Sequence, residues 1–191
     1  MKHFTPLNDL PVYDLYSELN KLIVNGYINW PEEHSQICLN TVNENSDNYA
    51  LGSGSLLYDW QNSREEIDLY GNKKTVLPKF ETPYSEDDFK FLCNQFKGTM
   101  FEDVYNTLSA KYKLGRVRIM KSSSKTCLTW HVDLTPRIHY PIKTQEGCFM
   151  IIEDEVKHMN ENTWWMTNTV LYHSAFNGSK EDRIHLVAVV L

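Results

Sequence analysis

The sequence predicts a mainly β protein, a sandwich or barrel of short strands braced by α-helices from its N-terminal part. Three observations carry this. From Arg116 to Leu191, β-rich segments recur with polar turns between them, as in small sandwiches and barrels. Aromatic residues make up 13% of the chain, and much of the apolar content is Tyr, Trp and Phe, which favours sheet over helical bundle. Apolar stripes at helical spacing occur only before residue 116. The 191 residues suffice for one substantial core, so a single domain over 1–191 is expected, with helices, strands and loops in 1–115 and the β-core in 116–191.

In order along the chain, Leu10–Val24 carries Leu10, Tyr13, Tyr16, Leu19, Leu22 and Ile23 as one stripe and reads as a helix that Gly26 can end. Gln36–Val42 alternates as a strand. Asn43–Gly54, rich in Asn, Asp, Ser and Gly, reads as a loop. Leu56–Trp60 is a candidate strand, followed by a charged, irregular stretch to Pro83. Ser85 is placed to cap a helix bearing Phe89, Leu92, Cys93 and Phe96, with Gly98 at its end. Thr99 and Glu102 fit a capping box for a second helix with Val104, Leu108 and Tyr112, stopped by Gly115. Strands are then expected over Arg116–Lys121, Thr126–Asp133, Arg137–Ile142, Gly147–Glu153, Thr163–Thr167, Val170–Ser174 and Arg183–Leu191. Pro136 and Pro141 predict that the Arg137 strand is short or at an edge. Asn177-Gly178 predicts a turn that makes the last two strands antiparallel neighbours and brings Arg183 near His173.

Composition excludes several classes. A net charge of −6 argues against a broad nucleic-acid footprint. Cys38, Cys93, Cys127 and Cys148 form no Cys-x-x-Cys pair, which argues against zinc knuckles and thioredoxin chemistry. Few cysteines in a long chain suit a reducing compartment. The first residues lack a signal-peptide apolar run, and the longest apolar run, Leu186–Leu191, is far too short to span a membrane. The expectation is a cytoplasmic protein without a membrane partner.

The chemistry concentrates between Trp130 and Pro141. His131 and Asp133 are two apart, as are Arg137 and His139, and residues two apart on a strand share a face. His173 completes a candidate metal set of two imidazoles and a carboxylate, the facial arrangement of non-haem Fe(II) oxygenases. A His-x-Asp pair alone is common by chance and reads equally as a half-buried His beside a turn-bonding Asp; the Arg-x-His and His-x9-Arg spacings shift the balance towards a site. Arg183 opens a strongly apolar strand, which favours a buried guanidinium gripping a carboxylate by two hydrogen bonds over a surface ion pair with Glu181 or Asp182. His185 shares the parity of Arg183 and reads as a core histidine. Trp164 and Trp165 point to opposite sides, one into the core. His3, His34 and His158 receive no role.

Together, His131-Val-Asp133, Arg137-Ile-His139-Tyr-Pro-Ile, Trp165 ahead of His173-Ser-Ala-Phe-Asn177-Gly, and Arg183-Ile-His-Leu-Val resemble the aspartyl/asparaginyl β-hydroxylase-like branch of the Fe(II)/2-oxoglutarate-dependent oxygenases. The resemblance covers roughly Arg116 to Leu191 and implies a double-stranded β-helix of the jelly-roll, cupin-like kind. It implies Fe(II) on His131, Asp133 and His173, the distal carboxylate of 2-oxoglutarate on Arg183, and Arg137 and His139 near the end that chelates iron. The reaction implied consumes 2-oxoglutarate and O2 (dioxygen), releases succinate and CO2, and hydroxylates a C–H bond of an amino-acid side chain, free or within a polypeptide. Related sequences often carry Gly two or three residues before the tryptophan; here Asn160-Glu-Asn162 stands there, and an Asn in a left-handed turn is the expected substitute. Loop Asn43–Gly54 and the region Asp59–Tyr84 are the candidates to shape substrate choice. Two other readings remain: a jelly-roll metal- or ligand-binding module without turnover, and a cupin-type metalloenzyme that does not use 2-oxoglutarate.

Overall fold

The computed structural model describes residues 2–30, 35–56, 64–76 and 84–191. The first strand, β1 (Phe4–Pro6), leads into α1 (Leu15–Val24). The helix starts later than its apolar stripe because Asp14 caps it, accepting from the Ser17 N–H; Leu15, Leu19 and Leu22 face inward. The strand expected over Gln36–Val42 is two strands, β2 (Gln36–Cys38) and β3 (Asn40–Thr41). The chain changes sheets here around the buried Asn40. Its amide donates to the carbonyls of Phe89 and Gly115, and its side-chain oxygen accepts from the Val117 N–H.

Two expectations in the middle of the chain are corrected. The stretch read as irregular contains a hairpin, β4 (Arg64–Ile67) with β5 (Lys73–Val76). The candidate strand Leu56–Trp60 lies, beyond Leu56, outside the described residues. No α-helix follows Ser85. Ser85 does bond to Asp88, its N–H and its hydroxyl both donating to the carboxylate, but only one 3-10 turn follows. The chain then enters β6 (Phe91–Leu92), which pairs with β3, and the Cys93 N–H donates to the Leu39 carbonyl at 2.7 Å. Tertiary backbone bonds override the helical spacing, and Phe89, Leu92, Cys93 and Phe96 are buried from an irregular segment. The next helix, α2 (Met100–Ser109), forms as expected, with Thr99 accepting from Phe101 N–H. Glu102 reaches back one residue further than a capping box, to Gly98 N–H. Gly115 does not stop this helix. It lies in the next strand, where a Cβ would come within 2.9 Å of Glu86 Cβ and Val189 Cγ1.

The β-core comprises β7 (Leu114–Ser122), β8 (Thr126–Cys127), β9 (Arg137–Lys143), β10 (Cys148–Ile152), β11 (Glu155–Lys157), β12 (Trp165–Thr167), β13 (His173–Asn177) and β14 (Arg183–Val190). One sheet runs β1-β12-β9-β14-β7-β2 and the other β11-β10-β13-β8. The expected strand Thr126–Asp133 is regular only at Thr126–Cys127, and the one expected from Val170 begins at His173. Strand β9 is interior, between β12 and β14. Pro141 is tolerated there because the β14 register shifts beside it and the β12 pairing has ended at His139. Strands β13 and β14 are not neighbours; the Asn177-Gly178 turn carries the chain from one sheet to the other. Asn177 fastens that crossing, donating to the carbonyls of Ser122, Ser123 and Glu181.

Alternation divides the six-stranded sheet into two faces. One bears Val117, Ile119, Ile138, Tyr140, Leu186 and Ala188, packed with the buried residues of α1 and α2 and with Trp164. The other carries Arg116, Arg118, Arg137, His139, Arg183 and His185, all buried. It is turned towards the four-stranded sheet, as Phe4 and Trp165 packing with Met150 and Ile152 shows. Two facing antiparallel sheets of this order form the expected double-stranded β-helix, with the helices outside. Asn162 is left-handed (φ 59°), as expected of the Asn in this turn, and accepts from Tyr140 OH at 3.1 Å. Among the described residues no helix is long and apolar enough to cross a membrane.

Candidate metal centre

His131 and His173 exchange a pair of backbone hydrogen bonds, 3.0 Å from His131 N–H and 2.9 Å from His173 N–H. This bridge, rather than a long strand, sets the two rings 4.2 Å apart between centroids. Asp133 is fixed by its own N–H donating to the Thr169 carbonyl at 2.8 Å. One ligand atom from each of His131, Asp133 and His173 lies within 4.8 Å of the others.

Both imidazoles are held in the same way. His131 Nδ1 lies 2.6 Å from the Thr129 carbonyl and His173 Nδ1 2.9 Å from the Leu171 carbonyl. A carbonyl only accepts, so each Nδ1 carries the proton and each Nε2 presents a lone pair. Burial depresses the pKa of His173 further, which keeps that lone pair available at neutral pH. Asp133 supplies the anionic donor. Its Oδ2 is 3.7 Å from His173 Nε2, and its Oδ1 is 3.3 Å from Arg137 Nη2. Arg137 is anchored in turn by donating to the Thr135 carbonyl and hydroxyl. Two neutral nitrogens and a carboxylate, with fixed tautomers and no thiolate among them, fit a borderline divalent cation such as Fe(II).

The expected cosubstrate residues follow along the inner face. His139 Nδ1 is 3.4 Å from His185 Nδ1, and Arg183 Nη2 donates to that same His185 nitrogen at 3.2 Å. Since a guanidinium only donates, His185 carries its proton on Nε2. Burial, then the Arg183 charge, holds both His139 and His185 well below the usual imidazole pKa. Arg183 reaches this row from the sheet opposite His173, not as a strand neighbour. Burial pushes its own pKa down to about 10, and among the described residues it has no carboxylate partner. The sequence reading missed Arg116, Arg118 and the part His185 plays beside Arg183. Their signal was two cations at alternate positions of an otherwise apolar strand, Arg116-Val-Arg118-Ile.

Comparisons with known proteins place the chain by family and fold. Over 76 residues, 37% of this chain, the sequence is 33% identical to an L-proline cis-4-hydroxylase of Rhizobium meliloti (strain 1021). The match spans 27% of that relative's length. A solved oxidoreductase of the 2OG-Fe(II) oxygenase family from Burkholderia pseudomallei shares the fold, with a TM-score of 0.50 and 11% identity, over 98% of this chain and 83% of that one. Residues 57–191 match the aspartyl/asparaginyl β-hydroxylase family. That span holds His131, Asp133, His173 and all of the strands from β7 to β14, so the chain belongs to the aspartyl/asparaginyl β-hydroxylase family.

Proposed function

We propose that the chain is an Fe(II)- and 2-oxoglutarate-dependent dioxygenase that hydroxylates a C–H bond of an amino-acid side chain. The observation that carries this is the convergence of two Nε2 lone pairs and one carboxylate, on an inner face that also holds a buried guanidinium with no carboxylate partner among the described residues. His131, Asp133 and His173 would hold the metal from one side and leave the other side open. Fe(II) bound there, with 2-oxoglutarate and O2, supplies the oxidising chemistry, yielding succinate, CO2 and the hydroxylated carbon.

The chain's residues do the rest. Arg183 receives the distal carboxylate of 2-oxoglutarate, for which a guanidinium offers two parallel N–H donors. Arg137 orients Asp133 and, with His139, flanks the end of the cosubstrate that faces the metal. The facing sheets exclude water from this span. Residues 1–191 act as one oxygenase domain, with the segments before residue 116 bracing the β-core and shaping the substrate side. A relative named for L-proline supports an amino-acid substrate. Four free cysteines suit a reducing compartment such as the cytoplasm.

The test is to add Fe(II) and 2-oxoglutarate to the purified protein without oxygen, then admit air. A visible metal-to-ligand charge-transfer band, followed by succinate formation, is expected. Fe(II) binding without that band would point to a metal-binding module or to a metalloenzyme that does not use 2-oxoglutarate.

A further inference from the structure

Arg118 is the cation on the inner face that nothing described so far employs. It is 7% exposed. Its Nη1 donates to Gln36 Oε1 at 3.0 Å and to the Gly54 carbonyl at 3.3 Å, while its Nε is buried without a hydrogen-bond partner. Among the described residues no carboxylate forms an ion pair with it. Glu86 is engaged by Arg116 at 2.7 Å, and Asp133 by Arg137. Burial, with the charge of Arg116, pushes its pKa down to about 10, so it stays charged at neutral pH. A buried charge lacking a counter-ion is unfavourable, and an anionic ligand removes that penalty.

Strand register says which ligand. Val187 pairs with both Arg118 and His139, so these two lie level with each other on the inner face, with one strand between them. Arg183 pairs with Ser122, four residues further along β7 from Arg118, roughly 13 Å along the strand. The two guanidinia are also held on different partners, Arg183 on His185 and Arg118 on Gln36 and Gly54, so the Arg118 position is separate from the one assigned to 2-oxoglutarate. A second buried donor without a partner, His185 Nε2, lies diagonally across from Arg118, since His185 pairs with Met120. Arg118 is also held in place. The carbonyls of Gly52 and Gly54 accept from Arg116, and the Gly54 N–H donates to Gln36. The end of loop Asn43–Gly54 is thus tied to the same pair of arginines.

We propose that Arg118 receives the α-carboxylate of the substrate, which makes the substrate a free amino acid rather than a residue within a polypeptide. This rests on the oxygenase reading and sets its substrate class. A residue inside a polypeptide has no α-carboxylate, because that carbon is in the peptide bond. An acidic side chain of a peptide offers the same chemistry from another source, and the experiment separates the two.

The probe is saturation-transfer NMR on the Zn(II)- and 2-oxoglutarate-loaded wild-type protein, which has no redox-active metal and so does not turn over. The ligands are the common free L-amino acids, their carboxamides, and a peptide with internal Asp and Glu blocked at both ends. At least one free amino acid is expected to bind, with its carboxamide weaker by roughly thirtyfold or more, the loss typical of removing one partner from a buried charged pair. Arg118→Gln should weaken the acid to the level of the amide while leaving 2-oxoglutarate affinity unchanged, and Arg118→Lys should fall between. Equal binding of acid and amide by wild-type protein overturns the proposal, and that comparison needs no variant to fold. Preference for the blocked acidic peptide, or no free amino acid binding to protein that does bind 2-oxoglutarate, also overturns it. Failure of 2-oxoglutarate itself to bind defeats the oxygenase reading and this proposal with it.

Discussion

Replacing Arg183 with Met should make the ligand-free protein more stable and remove most of the stabilisation that 2-oxoglutarate gives. The guanidinium is buried, and burial pushes its pKa down to about 10. That corresponds to roughly 3 kcal/mol of unfavourable environment for the charged form. The sign follows from the direction: the unfolded state holds the proton more tightly, so charging Arg183 in the fold opposes folding at neutral pH. The hydrogen bond to His185 offsets only part of this. Met fills similar volume without a charge; even replacing whole buried ion pairs in this way is often neutral or gains about 1–4 kcal/mol, and Arg183 has no pair attraction to lose among the described residues. For a domain of this size each 1 kcal/mol is worth about 2–4 °C, so Tm without cosubstrate should rise by several degrees. Saturating 2-oxoglutarate narrows that difference, because wild-type protein gains about 2.7 kcal/mol at a ligand concentration one hundred times Kd and the variant gains much less. The assays are thermal unfolding with and without 2-oxoglutarate, and isothermal titration of 2-oxoglutarate into Mn(II)-loaded protein under argon. Affinity should fall roughly thirtyfold or more in Arg183→Met, with Mn(II) affinity unchanged. A folded variant with wild-type affinity for 2-oxoglutarate would refute the role assigned to Arg183. A lower Tm in the absence of ligand would refute the claim that the fold holds this cation at a cost.

Asp133→Ala should abolish stoichiometric Fe(II) binding while far-UV circular dichroism stays native, because Arg137 keeps its bonds to Thr135; normal iron stoichiometry in this variant would remove Asp133 from the ligand set. Burial pushes the Glu86 carboxyl up, but its hydrogen bonds to Arg116 outweigh this and leave its pKa below 4.5. Its ionised form therefore adds stability above that pH, and the contribution is lost as pH falls through the lowered folded value. Glu86→Gln should accordingly flatten the loss of stability on acidification below pH 4.5, and a melting curve series with wild-type slope would contradict it. Asn162→Ala should be about 1–2 kcal/mol less stable than Asn162→Gly, since φ is 59° there and both variants lose the Tyr140 bond but only Ala adds left-handed strain; equal Tm values for the two would show that this turn is not constrained.

Local signals were legible in the sequence because the interactions behind them span a few residues. The capping threonine of α2, its apolar stripe and the alternation of β7, β9 and β14 all lie within such a window, and each appears at nearly its expected place. So does Asn162, which takes the left-handed backbone conformation expected of it. That His131 and Asp133 would share a site was legible in their spacing, and the structure groups them with His173. Long-range pairing decided the rest. The helix expected after Ser85 lost to backbone bonds with Leu39 and β3, which no local pattern announces. His131 and Asp133 converge through a bridge to His173 and a bond to Thr169, not through the strand that their parity suggested. The turn at Asn177-Gly178 was correctly placed, but whether it closes a hairpin or crosses between sheets depends on partners far along the chain. Arg118 and His185 gained meaning only once register placed them on one buried face, because sequence shows where a charge sits along a strand and only packing shows whether a counter-ion lies beside it.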